Sequence, residues 1–381
     1  MGQSVAGEAG NSSDTAARLA APLAGILEIH DTTLGRGEGF VARFRGRLLI
    51  DSVEAYRRVA DAYGRLGHTA LFRRDAGADV ILAMSGMLPV RESQIWINAL
   101  LFLLTVLSAL FTGVLLEAEA EITATQQLLR VALQQWTQGV PFALAILAIL
   151  GAHELGHYFA ARYHHVSVTL PYFIPFPYPF SPFGTLGAFI RLKSPPTNRR
   201  VLLDIGLAGP LAGFFVAVPV LLYGLAISPL TPFPPRGPFV LEGNSLLYAA
   251  AKLAIFGKLL PGGGQDVLLG SVAWAGWAGL LVTGLNLIPA GQLDGGHLMY
   301  VLIGNRVRRV LPAVVGVLLV LGVLWWQGWF LWAFLLLTLG RTSAEPLDQI
   351  TKLDPARRVL ALAGLLLFVL VFTPIPLRQF S

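Results

Sequence analysis

The stretch Gly151-Ala152-His153-Glu154-Leu155-Gly156-His157 ends an apolar run that starts near Gly139. On a helix, His153 and His157 are four positions apart and lie on one face, one turn above the other. Two imidazoles at this spacing can bind one tetrahedral Zn²⁺, and Glu154 beside them can act as a general base toward a metal-bound water. Because ionisable groups are costly in an apolar helix, this cluster is predicted to have a function.

The composition indicates an integral membrane protein. Of 381 residues, 55% are hydrophobic and 13% are charged, and the mean hydropathy is +0.64, whereas a soluble protein carries roughly 25% charged residues. The net charge of +6 comes mostly from basic residues in short loops between apolar runs. This distribution indicates that the charges set the orientation of membrane segments, and it predicts no nucleic-acid partner. Cysteine is absent, so a metal site must use His and carboxylate ligands. The first 20 residues lack an apolar core, so no signal peptide is predicted.

The N-terminal quarter of the chain is predicted to lie outside the membrane. Residues 1–24 are small and polar and are expected to be disordered, and residues 25–90 form a small cytosolic α+β domain. Strands are expected near 39–46, 69–73 and 80–84, with a helix over 51–66 between the first and second strands. This βαββ domain is interpreted as a docking or regulatory module, since nothing in it indicates catalysis.

The remaining chain is predicted to be an α-helical polytopic membrane protein of about six to seven transmembrane segments. A first segment covers 95–116, a membrane-embedded core covers 139–304, and further segments lie in 305–381. The run 311–339 is too long for one ordinary span and contains Trp325-Trp326-Gln327-Gly328-Trp329. It is therefore interpreted as two short segments that meet at an interfacial aromatic turn.

Loop charge predicts the orientation of these segments. Basic residues such as Arg162, Arg191 and Arg200 share one side, and the loop at 117–121 on the other side is acidic. The positive-inside rule then makes the N-terminus and the active site cytosolic, and we expect the cell membrane of a prokaryote. His164 and His165, in the basic turn after the histidine helix, are interpreted as interfacial.

A catalytic zinc site needs a third protein ligand, and Asp294 is the best candidate. It follows directly on an apolar segment, and the neighbouring Pro289, Gly291, Gly295 and Gly296 interrupt a helix. Irregular backbone at membrane depth is tolerated where it is buried in protein or lines a wet cavity, which would let the carboxylate turn toward the histidines.

His297 is the rival third ligand. It lies three positions after Asp294 and could share a helix face with it, and a role behind the ligands or toward the substrate is favoured.

These two segments make the chain similar to the site-2 protease family of intramembrane zinc metalloproteases. The resemblance is carried by His153-Glu154-x-x-His157, by Asn286 with Leu293-Asp294-Gly295-Gly296, and by the Gly-Pro-rich segment at 204–213. It implies one Zn²⁺ per chain, held by His153, His157 and Asp294, with Glu154 as the catalytic base and Asn286 in contact with substrate. It also implies hydrolysis of peptide bonds within or beside the transmembrane segments of protein substrates in the lipid bilayer. The Gly184–Gly187 stretch resembles the branch with the plant chloroplast proteases, and no PDZ or CBS domain is found.

The segment 171–193 is predicted to be a re-entrant loop with a β-hairpin. Its first ten residues contain too many prolines for a helix, and the residues from Thr185 onward alternate like a strand. An edge strand here could hold an unwound substrate by β-augmentation, or the segment could be an interfacial anchor. The residues assigned to substrate binding are Gly184, Thr185, Leu186 and Gly187, together with Asn286.

Two other classes of function stay open. A membrane metal transporter also places His and Asp inside spans, but it has no need of Glu154 and usually shows repeated broken helices. A catalytically silent membrane scaffold would hold clients without binding zinc. The sequence makes no prediction about the oligomeric state.

Overall fold

The structure is a computed structural model that describes residues 14–35, 39–87, 93–118, 125–235, 239–340 and 345–380. The chain divides into two compact units. Unit 1 comprises Met1–Arg91, Lys193–Leu202 and Ala344–Asp354, and unit 2 comprises Glu92–Leu192, Leu203–Ser343 and Pro355–Ser381. Residues 1–13 of the expected disordered segment and 119–121 of the acidic loop lie outside the described residues.

Unit 1 is built on a four-stranded antiparallel sheet in the order β1-β2-β4-β3. Its elements are α1 (residues 14–20), β1 (Leu27–Leu34), β2 (Phe40–Leu48), α2 (Ser52–Arg65), β3 (His68–Asp75) and β4 (Ala78–Ser85). Helix α2 begins where predicted because the Asp51 side chain accepts hydrogen bonds from the backbone amides of Val53 and Glu54. Its buried face, with Tyr56, Val59 and Tyr63, packs with the sheet into one core.

Two features of unit 1 differ from the sequence prediction. Strand β1 was not predicted, because it is an edge strand exposed at every position after Leu27 and so lacks apolar alternation. The predicted disorder up to residue 24 is wrong for residues 14–24. These residues form α1 and a 3₁₀ turn, and they bury Leu19 and Leu23 in the core.

Two short remote segments complete unit 1. The Leu347 and Asp348 amides donate to the carbonyls of Pro196 and Thr197, and Phe72 of β3 exchanges backbone hydrogen bonds with Leu347 and Gln349. The Asp348 side chain is fully buried and accepts hydrogen bonds from the Ile350 and Thr351 amides. Burial raises the pKa of the Asp348 carboxyl above its ordinary value, against these hydrogen bonds, which lower it.

Unit 2 is mostly helical. Its helices are α3 (Ile95–Glu117), α4 (Thr125–Gln134), α5 (Val140–Tyr163), α6 (Arg199–Ala226, whose first turn belongs to unit 1), α7 (Leu246–Phe256), α8 (Ser271–Asn286), α9 (Asp294–Ile303), α10 (Val310–Leu324), α11 (Gly328–Leu339) and α12 (Pro355–Val371). In the described parts of the chain, four helical segments are long and apolar enough to cross a membrane: Ile95–Glu117, Trp136–Tyr163, Arg199–Ala226 and Asp294–Leu324. The chain is therefore a multi-pass membrane protein.

The other apolar helices of unit 2 are short. Helices α8, α11 and α12 have 16, 12 and 17 residues, fewer than the roughly 20 residues of an ordinary span. The run 311–339 is divided as predicted, since α10 ends at Leu324 and α11 begins at Gly328. Trp329, just after this break, is fully buried and donates from its indole to the Pro374 carbonyl.

The predicted hairpin follows α5. Strands β5 (Tyr172–Pro175) and β6 (Thr185–Phe189) pair antiparallel, and the Thr169 amide extends the ladder by donating to the Arg191 carbonyl. This sheet has two strands in the described chain. Two small two-stranded sheets pair β7 (Leu230–Pro232) with β9 (Gln265–Val267), and β8 (Phe239–Glu242) with β10 (Leu377–Phe380).

The interruption after α8 is a tight loop that leads directly into α9. Gly291 has a φ of +66°, which a glycine adopts without steric cost. A Cβ at Gly295 would lie 2.0 Å from the Leu287 carbonyl oxygen, and one at Gly296 would lie 2.3 Å from that of Gly291. The glycines thus allow α9 to start against the loop, and the first residue of α9 is Asp294.

Candidate metal centre

The two histidines of α5 lie side by side in the protein interior. His153, Glu154 and His157 are all buried. The Nδ1 atom of His157 lies 2.7 Å from the Ile205 carbonyl oxygen on α6, so Nδ1 carries the proton and donates it. The Nε2 atom of His157 therefore presents its lone pair, 3.2 Å from the Nε2 atom of His153. Such a tautomer, set by a hydrogen bond to a backbone carbonyl, is the one that binds metal.

Asp294 completes a triangle of ligand atoms. Its Oδ2 atom lies 3.3 Å from Nε2 of His153 and 3.4 Å from Nε2 of His157. In tetrahedral zinc sites with bonds of about 2.0–2.1 Å, neighbouring ligand atoms are separated by about 3.3–3.4 Å. The three edges of 3.2, 3.3 and 3.4 Å therefore fit one face of a zinc tetrahedron, with the fourth position left for water or substrate. Among the described residues, this is the one group of three with metal-ligand geometry.

Helix α6 makes room for both imidazoles with a row of glycines. A Cβ at Gly209 would lie 2.1 Å from Nε2 of His157, and a Cβ at Gly213 would lie 3.0 Å from Cβ of His153. Gly156 of α5 approaches α6 just as closely, since its Cβ would lie 2.5 Å from the Ala208 carbonyl oxygen. The Gly-Pro-rich segment at 204–213 was visible in the sequence, but the sequence did not indicate that the histidine rings fill the space beside its glycines.

Glu154 borders the ligand triangle without joining it. Its Oε1 atom lies 3.9 Å from Nε2 of His153. The backbone amide of Ile190, directly after β6, lies beside the Glu154 carboxylate, so the hairpin and the candidate base are neighbours. Asn286, the last residue of α8, places its amide Nδ2 3.3 Å from Nε2 of His153. This carboxylate and this amide therefore both lie within 4 Å of Nε2 of His153.

The other histidines near the site lie outside the triangle. His297 packs with its Cβ against Gly206, where an added Cβ would lie at 3.3 Å, and it is absent from the ligand group of the described residues. Among the described residues, the geometry therefore groups Asp294, and not His297, with the two histidines. His164 bonds to the Asp204 carboxylate at 2.9 Å.

The four hairpin residues predicted to bind substrate divide into two pairs. Gly184 is held by α3, where Ser108 Oγ donates to its carbonyl at 2.6 Å, and Thr185 is buried with its hydroxyl donating to Ile174. Leu186 is 61% exposed, and Gly187, at φ +102°, has nothing within 4 Å of an added Cβ. The first pair is thus occupied by internal contacts. In the second pair the Leu186 side chain is accessible, while the amide and the carbonyl of Gly187 both bond to the Thr185 hydroxyl.

Sequence comparisons agree with this geometry. Residues 141–324 match the model of peptidase family M50. The chain is 35% identical over 240 residues to probable zinc metalloprotease EGY2, chloroplastic, of Oryza sativa subsp. indica, which is 62% of this chain and 43% of that protein. It is 34% identical over 239 residues to the Arabidopsis thaliana protein of the same name (62% and 42%), and 32% identical over 241 residues to probable zinc metalloprotease EGY1, chloroplastic, of Arabidopsis thaliana (62% and 43%).

The chain therefore spans less than half the length of these curated relatives. No solved structure matches it. The matched region contains all three ligands of the triangle as well as Glu154, and the resemblance predicted from the two motifs is confirmed. We conclude that residues 141–324, which contain the triangle and Glu154, are similar to the peptidase family M50 domain, the domain of the site-2 proteases.

Proposed function

We propose that this protein is an intramembrane zinc metalloprotease that hydrolyses peptide bonds within or beside the transmembrane segments of membrane-protein substrates. One observation carries the proposal: two imidazoles and a carboxylate form a zinc-sized triangle bordered by a buried glutamate, and the imidazoles and the glutamate lie on a helix apolar enough to span a membrane. The names of the relatives, which are zinc metalloproteases, support it.

The proposed division of labour follows the distances. His153, His157 and Asp294 would hold the zinc, which when bound lowers the pKa of a water and polarises the peptide carbonyl. Glu154 takes the proton of the attacking water and delivers it to the leaving amine, because its carboxylate lies beside the ligands and is not one of them. The Asn286 amide would hold the substrate backbone beside His153.

The hairpin is proposed to present the substrate. A peptide bond in a helix has its carbonyl already hydrogen-bonded, so the substrate must be held extended for attack. Strand β6 has no further strand beside it in the described chain, and its neighbour Ile190 contacts Glu154. An extended substrate pairing along the outer edge of β6, beside the exposed Leu186, would therefore run toward the carboxylate of Glu154.

We further propose the membrane arrangement. Helices α8, α11 and α12 would lie within the bilayer with the four long segments, which brings the number of crossing or embedded segments to the predicted six or seven. Loop charge would place the C-terminal end of α5, with Arg162, on the cytosolic side, and would make the N-terminal domain cytosolic for the same reason. The relatives are named as chloroplastic proteins, so they lend no support to the expected location in a prokaryotic cell membrane. We therefore propose no organelle or organism.

The Glu154→Gln variant tests the proposed function. Purified Glu154→Gln chain should bind one zinc per chain with the affinity of the wild type and cleave no transmembrane substrate in proteoliposomes. Zinc content distinguishes the silent scaffold, which would bind none, and zinc flux into sealed vesicles distinguishes the transporter. Cleavage by Glu154→Gln at full zinc content would falsify the assignment of the base.

A further inference from the structure

An ion-paired cluster lies on α6 close to the metal centre. We call Asp204, Arg357 and His164 the Asp204 cluster. The guanidinium of Arg357 donates two hydrogen bonds to the Asp204 carboxylate, from Nε to Oδ1 at 2.9 Å and from Nη2 to Oδ2 at 2.7 Å. His164 adds a third at 2.9 Å, from Nε2 to Oδ2. The three side chains are only 19–32% exposed, so these bonds are partly shielded from water.

The cluster is joined to a zinc ligand through one peptide unit. Asp204 directly precedes Ile205, whose carbonyl accepts the hydrogen bond from Nδ1 of His157. On α5, His164 follows His157 by seven residues, which is two turns and therefore nearly the same face. Helices α5 and α6 are thus linked at two adjacent points, once through a ligand and once through the Asp204 cluster.

The same cluster joins the histidine side of the centre to the aspartate side. Arg357 lies in the first turn of α12. Further along α12, a Cβ at Gly364 would lie 2.4 Å from Leu298 of α9 and 2.8 Å from Leu207 of α6, so α12 packs tightly between these two helices. Helix α9 begins with Asp294. The pair of Arg357 and Asp204 therefore anchors the helix that packs against α9, whose first residue is Asp294.

Close packing alone does not determine how far α6 lies along α5. The glycines of α6 allow close contact because they lack side chains, but they contribute no directional side-chain bond to α5. A bidentate guanidinium–carboxylate pair is directional, since both hydrogen bonds weaken when either helix moves along its axis. The Asp204 cluster supplies this directional contact one residue from the carbonyl that orients His157.

We propose that Asp204 is a positioning residue of the metal centre: held by Arg357 and His164, it orients His157 through the Ile205 carbonyl and keeps α9 in register with α5. This inference rests on the proposed function for the identity of the metal. It predicts that zinc affinity depends on residues that do not contact the ion. Loss of a group that orients a ligand typically lowers metal affinity about 10–100-fold.

The test compares zinc affinity among variants of the full chain in detergent. Asp204→Asn and Arg357→Gln should each raise the zinc dissociation constant about tenfold in competition with a chromogenic chelator. Because both substitutions remove the same contact, the zinc dissociation constant of the double variant should not exceed the higher of the two single-variant values. Arg358→Gln is the matched control, since Arg358 is the exposed neighbour of Arg357 on α12, and it should bind zinc like the wild type. Arg357→Lys, which keeps the charge and loses the fork, should fall between the wild type and Arg357→Gln.

A second readout separates positioning from a merely structural role. The visible absorption bands of the Co²⁺-substituted chain report ligand geometry, and they should shift in Asp204→Asn and stay unchanged in Arg358→Gln. Wild-type zinc affinity and Co²⁺ bands in Asp204→Asn, even with a lower melting temperature, would overturn the inference. That outcome leaves the proposed function intact, whereas a wild-type chain that binds no zinc would refute the proposed function itself.

Discussion

Replacing Gly209 by alanine is the sharpest test of the metal-centre geometry. The added Cβ would lie 2.1, 2.3 and 2.5 Å from the Nε2, Cδ2 and Cε1 atoms of His157. The first of these distances is about 1.3 Å less than the 3.4 Å at which ordinary contact begins. The ring cannot turn aside freely, because it is buried and its Nδ1 atom is bound to Ile205 at 2.7 Å. Either the imidazole or the whole of α6 must move.

The expected loss follows from that displacement. Metal sites tolerate ligand shifts of about 0.2 Å, and a misplacement of about 1 Å in a catalytic group lowers rates about 100-fold. A shift of more than 1 Å in one corner of the triangle should therefore weaken zinc binding and slow cleavage by at least about 100-fold. The loss should appear in both measurements, since the same nitrogen is displaced in both.

Two other glycines provide a graded comparison. At Gly213 the added Cβ would lie 3.0 Å from Cβ of His153, which requires a movement of a few tenths of an ångström. Gly213→Ala should thus lose about tenfold or less. At Gly151, two residues before His153, nothing lies within 4 Å. Gly151→Ala should bind zinc like the wild type, and its helix should be favoured by about 1 kcal/mol.

The assay uses the three variants as purified full chains. Zinc affinity is measured by chelator competition, and cleavage is measured on a transmembrane substrate in proteoliposomes. The expected order of loss is Gly209, then Gly213, then Gly151. If Gly209→Ala binds zinc as tightly as Gly151→Ala, the packing of His157 against α6 is wrong, and a greater loss at Gly213 than at Gly209 would also refute it.

Two further predictions concern the hairpin and unit 1. Because the chain has no cysteine, Leu186→Cys in a Glu154→Gln chain should form a disulfide crosslink with a cysteine in a bound substrate. The control is Leu246→Cys, which should not crosslink although Leu246 is 62% exposed and Leu186 is 61% exposed. Equal crosslinking of the two variants would contradict docking on β6. Burial raises the pKa of Asp348 above its ordinary 3.8, so its contribution to stability is present below pH 3.8 and is lost as the pH rises through the folded-state pKa. In scanning calorimetry of the full chain, Asp348→Asn should not show this loss of stability as the pH rises from 3.8 through the folded-state pKa of Asp348. Melting temperatures that change with pH in parallel for both chains would exclude this role of Asp348.

Local patterns accounted for the elements whose signals lie within a few residues. The cap at Asp51, the aromatic break at 325–327 and the Pro-rich hairpin were predictable because each depends on neighbouring residues. Strand β1 was missed because an exposed edge strand needs no apolar alternation. Helix α9 was missed because Gly295 and Gly296 are poor helix formers, and they occur there only because the preceding loop lies against them.

Unit 1 shows the same limit at longer range. The segment 345–351 joins it through backbone hydrogen bonds of Phe72 with Leu347 and Gln349, and Leu347 is 275 positions away from Phe72 in the chain. A segment this short has too few residues to show a period, so its partner is visible only after folding.

From the sequence alone it follows that His153 and His157 share one helix face, that this helix is apolar, and that a segment interrupted by proline and glycine carries the carboxylate of Asp294. These properties follow from the period of the helix and from the local effects of proline and glycine. The packing of the helices shows that Asp294 completes the triangle while His297 lies against Gly206, and that the imidazoles pack against the glycines of α6. It alone joined Asp204 to partners 40 and 153 residues away. The physical reason is that ligand geometry depends on how separate helices pack, and the residues at such contacts are distant in the chain.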